Sequence, residues 1–252
     1  MNLLRVSLAF SMASLLVACG GGDGGSASML PSKLEGFYNG SVSTGAQIEL
    51  LALENDQIYA LIGNTVAPNE YRINSFIEGA GTSANGSFSI ANAKEYTASG
   101  QVNTGVISGS FSPRSSVMGN VSTIPGTASF TASALPTALY SYDAPTPIAS
   151  IAGDWSGYVL GNDTVKFSIA SSGAITGKSA SGCTFTGLTT PRANGKNVLD
   201  ANFVFGVAPC IQPGVSANGI AFSTLTNNGQ RKLVFAVNNT ARTFGTVFFA
   251  QR

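Results

Sequence analysis

Histidine is absent from the 252 residues, and that removes most familiar side-chain catalysis. Ser-His-Asp and Cys-His nucleophiles need an imidazole to take the proton. Zinc and iron sites built on His go with it. The chain carries no Gly-x-Ser-x-Gly elbow, no Ser-x-x-Lys, no Gly-x-x-x-x-Gly-Lys phosphate loop and no EF-hand pattern. Carboxylates remain. A two-carboxylate hydrolase needs its acids about 5–10 Å apart, and 12 acidic residues are available. Glu49, Glu54 and Asp56 are close in sequence, but Glu54-Asn55-Asp56 reads as a turn. Asp154 and Asp163 flank one strand-like run. Their plain reading is solvation and turn formation. A loop of Asn and Asp side chains is the one route left to a bound calcium ion. No residue is assigned a catalytic, cofactor-binding or metal-ligating role, and no cofactor is implied.

The elements that would position such groups follow from composition. Hydrophobic residues make up 44% of the chain and charged residues only 10%, with 30 glycines. That is too apolar for a charged disordered chain and too poor in Glu, Lys and Arg for a helical bundle. Short runs of Val, Ile, Phe and Tyr between Gly, Asn and Ser suit an all-β protein. The formal net charge is +1, and the longest basic stretch is Arg231-Lys232. Nucleic-acid binding needs a cluster of cations to displace phosphate counterions, so it is excluded.

The chain opens with Met-Asn-Leu-Leu-Arg and an apolar run from Val6 to Ala18. That run is shorter than the about 20 residues needed to span a bilayer. It ends in Leu16-Val17-Ala18-Cys19, followed by three glycines. This resembles the lipobox of bacterial lipoproteins. The resemblance implies cleavage before Cys19, diacylglycerol on its sulfur and acylation, typically with palmitate, of its amino group. The alternative is an ordinary secretory signal that contains a cysteine. Two or three acyl chains at about 0.8 kcal/mol per buried methylene hold a protein to a membrane. Gly20 stands where enteric-type sorting would read an Asp as inner-membrane retention, so the outer membrane is the implied address. Residues 1–18 are thus a signal and 19–32 a lipidated flexible tether. With Cys19 carrying lipid, Cys183 and Cys210 remain. An even pair in an exported protein reads as a disulfide, here closing 27 residues, against a redox or metal pair.

Two stretches rhyme. Leu34-Glu35-Gly36-Phe37-Tyr38-Asn39-Gly40 and Ile151-Ala152-Gly153-Asp154-Trp155-Ser156-Gly157 share an apolar residue, Gly, an aromatic and Gly in the same places. Between them a Pro-bearing stretch reads as a linker. The expected organisation is a β domain over 33–133, a linker over 134–150 and a β-barrel over 151–252, either an old duplication or chance recurrence of strand starts. The second half offers eight strand-like runs: 153–160, 164–170, 174–178, 183–188, 198–206, 219–224, 232–237 and 243–250. Period-2 alternation puts Leu233, Phe235 and Val237 on one face, and Phe203 and Phe205 on one face. Short connections favour antiparallel meanders, and eight strands can close into a barrel without exposed edges. The fold class expected is therefore all-β, two small antiparallel barrels of about eight strands each.

Gly153-Asp154-Trp155 resembles the Gly-any-Trp opening of lipocalin-type barrels. A small barrel behind a lipidated tail is similar to surface lipoproteins of the transferrin-binding type. The lipocalin pattern implies an Arg over the Trp near the last strand, a place for Arg242 or Arg252. Gly36 and Tyr38, like Gly153 and Trp155, then mark barrel starts, with Trp155 a plug. Tyr140-Ser141-Tyr142-Asp143 in the linker is either an exposed contact point or packed on a barrel. The function expected is a non-catalytic binding or scaffolding module of a Gram-negative envelope, anchored by lipid on Cys19. Its partner would be a protein, a glycan or a small apolar ligand. A lipocalin-like carrier is the alternative, and an enzyme working by carboxylates alone ranks last.

Overall fold

A computed structural model describes residues 33–67, 70–123 and 126–252. The signal, Cys19 and the tether lie outside these residues. The regular elements of the described chain are strands, apart from one short 3-10 turn. The first unit holds β1 (Gly36–Val42), β2 (Gln47–Ala52), β3 (Gln57–Ala67), β4 (Glu70–Ala80), β5 (Thr82–Ala84), β6 (Ser87–Thr97), β7 (Val102–Ser112), β8 (Ser116–Thr123) and β9 (Gly126–Ala134). Neighbours pair antiparallel, β1 pairs with β9, and β4 pairs with β6 from Ser75–Thr97 to Glu78–Lys94. Eight strands therefore close into a barrel, and β5 is a short hairpin arm on β6.

The second unit follows a single turn of 3-10 helix at Ile148–Ser150. Its strands are β10 (Gly153–Val159), β11 (Thr164–Ile169), β12 (Ala174–Ser179), β13 (Thr184–Pro191), β14 (Leu199–Phe205), β15 (Ser216–Leu225), β16 (Arg231–Asn238) and β17 (Gly245–Gln251). They form a closed eight-stranded meander, sealed by β10 on β17. All eight expected runs are strands, with ends moved by at most three residues.

The shared opening has a shared geometry. Gly36 and Gly153 sit at φ +146° and +108°, where a Cβ is strained. The aromatic two residues on points inward and hydrogen-bonds the carbonyl four residues back. Tyr38 donates from Oη to Leu34 O at 2.8 Å, and Trp155 from Nε1 to Ile151 O at 2.8 Å. The second glycine lies where first and last strands meet. A Cβ on Gly40 would sit 1.9 Å from Thr131 O, and one on Gly157 would sit 1.9 Å from Phe249 O.

Both interiors are filled. The first holds Tyr38, Ile48, Leu50, Ile58, Ile77, Phe88, Ile107, Phe111 and Phe130 among others. The second is packed with rings: Phe203 stacks on Phe248 at 4.7 Å, and Phe185, Phe167 and Phe235 pack around them.

A third core lies between the barrels. Leu51, Leu53, Tyr59, Leu61, Ile73, Phe76 and Tyr96 on the outer face of the first meet Ile220, Phe222, Val234, Ala236, Val247 and Phe249 on the outer face of the second. The strands there are buried on both sides, so β16 reads as an unbroken apolar run from Leu233 to Val237. Ion pairs ring this contact: Arg192–Glu54 at 2.6 Å, Arg242–Glu78 at 2.6 Å and Lys232–Glu49. The Tyr158 hydroxyl donates to Tyr71 O across the same seam. The linker is built into it. Tyr140 and Tyr142 are each 5% exposed, Tyr140 packs on Phe37 at 5.0 Å, and Arg114 lies over Tyr142 at 4.4 Å. The packed alternative for this stretch is the one adopted.

Candidate functional site

The two ends of each barrel differ. In an antiparallel meander the turns alternate ends. The chain enters the first barrel at the end that carries Lys33 and Glu54–Asp56, where Lys33 Nζ meets Asp56 Oδ2 at 2.8 Å. The turn Thr97–Gln101 belongs to the opposite end. In the second barrel the entry end is shut by Trp155. The Arg252 guanidinium lies 4.0 Å over its ring and donates to Ala152 O at 2.9 Å, beside the 3-10 turn. Of the two candidate arginines, Arg252 covers the Trp, and Arg242 pairs instead with Glu78 of the other barrel.

The far end is open. A cleft of about 380 Å³ lies there, between the mouth of the second barrel and the β6–β7 turn of the first. Its apolar floor is Phe185, Phe205, Phe244 and Phe248, with Val159, Leu160 and Ile211 at the sides. The floor is the top of the ring stack that fills the barrel: Phe205 meets Phe244 edge-on at 5.6 Å, and Phe248 lies beneath. A ligand cannot pass deeper, so the barrel is plugged rather than hollow.

Tight turns build the walls. Thr97 N donates to Gln101 O at 3.0 Å in the β6–β7 turn, and Val159 N to Asp163 O at 2.8 Å in the β10–β11 turn. The two turns touch: a Cβ on Gly161 would sit 3.3 Å from Ala98 O. Asn239 Oδ1 accepts from the amides of Thr243 and Phe244 at 2.9 and 3.0 Å, which fixes Phe244. The last wall is the loop between β14 and β15. Cys210 on that loop is disulfide-bonded to Cys183, the residue before β13, with Cα atoms 4.4 Å apart. The loop carries Ile211, 91% exposed, and Val207, 79% exposed.

The electrostatics of the cleft are simple. Among the described residues that line it there is no Lys or Arg and one carboxylate, Asp163. Ser181 donates to Asp163 Oδ2 from Oγ at 2.6 Å and from its amide at 3.3 Å. The Ser181 hydroxyl, more than any other group, holds the Asp163 carboxyl below its ordinary value of 3.8. That acid stays ionised and is a poor proton donor near neutral pH.

Two pairs of carboxylates come together, each across a shared cation: Glu35 and Asp143 meet on Arg114 Nη2 at 3.0 and 2.9 Å with Lys196 beside them, and Glu54 and Asp200 meet on Arg192 at 2.6 and 2.7 Å. Glu49 faces Lys232, Glu54 faces Arg192, and Asp56 faces Lys33 and Ser83. Asp154 and Asp163 lie at opposite ends of β10, about 17 Å apart from the rise of a strand, beyond the reach of paired-carboxylate hydrolysis. Among the described residues no group of three or more His, Cys, Asp or Glu could hold a metal ion. Sequence reasoning did not find the cleft. The run Gly206-Val207-Ala208-Pro209-Cys210-Ile211-Gln212-Pro213-Gly214 carried a signal, aliphatic residues inside a turn-rich loop. The wall from the β6–β7 turn carried none, because only packing of the barrels brings it there.

No family profile matches the chain, and no curated protein does. Three solved structures are similar to it at low identity. A candidate outer membrane protein from Bacteroides fragilis is 12% identical over 88% of this chain and 96% of its own, with a TM-score of 0.25. Isotype 1 transferrin binding protein B from serogroup B Neisseria meningitidis is 11% identical over 82% of this chain and 58% of its own, at 0.26. A protein of unknown function of the DUF3598 family from Nostoc punctiforme is 13% identical over 86% and 95%, at 0.25.

Proposed function

We propose that this protein is a lipid-anchored module of a Gram-negative cell envelope that acts by binding rather than catalysis. The observation that carries the reading is the pair of filled barrels joined through a shared apolar core. Such a body offers rigid surface and no interior chamber. Where two of its carboxylates come together, Glu35 with Asp143 and Glu54 with Asp200, an Arg lies between them and holds both, the arrangement of a structural ion-pair network rather than of an acid–base pair. Cys19, outside the described residues, carries the lipid in this reading, and residues 19–32 space the barrels from the outer membrane. Lys33, the first described residue, lies at the entry end of the first barrel beside Asp56, and Ile211 lies at the far end of the second.

A second reading, the carrier of a small apolar ligand, loses its lumen to the phenylalanine stack. It keeps one foothold, the cleft at the open end.

Two measurements test the proposal in living cells. An alkyne-bearing palmitate should label the wild type, and Cys19→Ser should abolish the label and release the protein from membranes; label surviving in Cys19→Ser ends the anchor. A photo-crosslinking residue at Ile211 should give a discrete adduct that the same residue at Met118 does not. Identical patterns at the two positions end the binding reading.

A further inference from the structure

We infer that the cleft between the second barrel's mouth and the β6–β7 turn is a binding site for a small, uncharged, mostly apolar molecule, an aromatic or short acyl compound. The inference rests on the binding-module reading and deepens it by naming the site and the ligand chemistry.

Four observations carry it. The first is size. About 380 Å³ falls within the roughly 300–1,000 Å³ of small-molecule sites, near the small end. The second is persistence. The floor rings are supported from beneath by the packed stack, so the cleft cannot close by collapse. Its outer wall is held by the Cys183–Cys210 bond and its inner wall by the neighbouring barrel. The third is chemistry. Phe244, half-buried, offers its ring to a ligand, with the buried Phe185, Phe205 and Phe248 packed behind it. Polar atoms sit at the rim on Thr97, Gln101, Gln212 and Thr243, enough to orient a hydroxyl or amide.

The fourth is charge. With no cation among the lining residues and Asp163 ionised, an anionic ligand would lose its hydration without gaining a partner of opposite charge. That separates a neutral apolar compound from a fatty acid anion or a phosphate. The site is also composite. Neither barrel alone forms it, so it exists only while the two are packed together.

The test uses two dyes of nearly the same shape, neutral N-phenyl-1-naphthylamine and anionic 1-anilinonaphthalene-8-sulfonate, titrated against the intact chain by fluorescence. The expected result is saturable binding of the neutral dye at one site, with the anionic dye at least tenfold weaker. Phe244→Asp, at a half-buried position, should weaken the neutral dye at least tenfold. Ser99→Trp, on the exposed turn, should do the same by filling the cleft without touching either core. Met118→Asp, on the outside of the first barrel, should leave affinity unchanged. Circular dichroism and melting temperature show that each variant is folded. Absence of saturable binding, equal affinity for the two dyes, or affinity unmoved by both cleft variants overturns the inference. A crosslink at Ile211 in cells with no dye binding would reject this ligand class and leave the binding module standing. Loss of both would reject both.

Discussion

Glu54 has two opposing influences on its carboxyl. Burial pushes its pKa up, while the hydrogen bond from Arg192 and the hydroxyl of Tyr142 pull it down. The pull wins, and the group titrates below its ordinary 4.5. A carboxyl depressed on folding stabilises the fold above its unfolded pKa, and that contribution is lost as pH falls through the folded value. Acidification below about pH 4.5 should therefore loosen the contact between barrels at this point. Urea midpoints measured from pH 6 down to pH 3 should fall less steeply in Glu54→Gln than in the wild type; equal slopes would show that the Arg192 pair carries none of the acid sensitivity. Trp155 makes a different point at this scale. Its type in the sequence indicated an inward plug, but only the fold chose between Arg242 and Arg252 as its cover.

The elements most constrained by their neighbours are the strands that close each barrel. Gly157 on β10 faces β17 so closely that any Cβ would overlap Phe249 O. Gly40 stands in the same relation to β9. Gly157→Ala should cost about 3 kcal/mol or more, at the upper end of overpacking, because backbone on both sides must shift. Gly229→Ala is the comparison, since open space surrounds that turn glycine and only its φ of +82° resists. Its cost should be nearer 1 kcal/mol. Chemical denaturation of both variants decides this, and equal costs would refute the closing-strand argument. The strand runs themselves were legible, because alternation and turn residues mark their ends locally. The short arm β5 was not, since three residues leave no periodic signal.

The molecule as a whole behaves as one body because the barrels share a core. Val234 illustrates it: the side chain is fully buried, yet it points away from its own barrel's interior. Val234→Asp places a charge in that seam while the interior set of Leu233, Phe235 and Val237 stays apolar. Scanning calorimetry of the wild type should show a single cooperative transition. The variant should show two, with the first at lower temperature. A single transition in Val234→Asp, lowered as a whole, would mean that the second barrel cannot stand without the first.

By itself the sequence determined the class of elements, their number in the second half, the pairing open to Cys183 and Cys210, and the lack of imidazole chemistry. Those are local properties: residue type, period and composition suffice to read them. Only the tertiary structure decided that the barrels are plugged, that Tyr140 and Tyr142 seal a seam, and that the β6–β7 turn walls a cleft more than fifty residues along the chain from its other walls. The physical reason is that an apolar outer face on a strand looks the same in sequence whatever covers it. The unbroken run from Leu233 to Val237 announced burial on both faces, but its partner strands lie in the other half of the chain, and only packing brings them together.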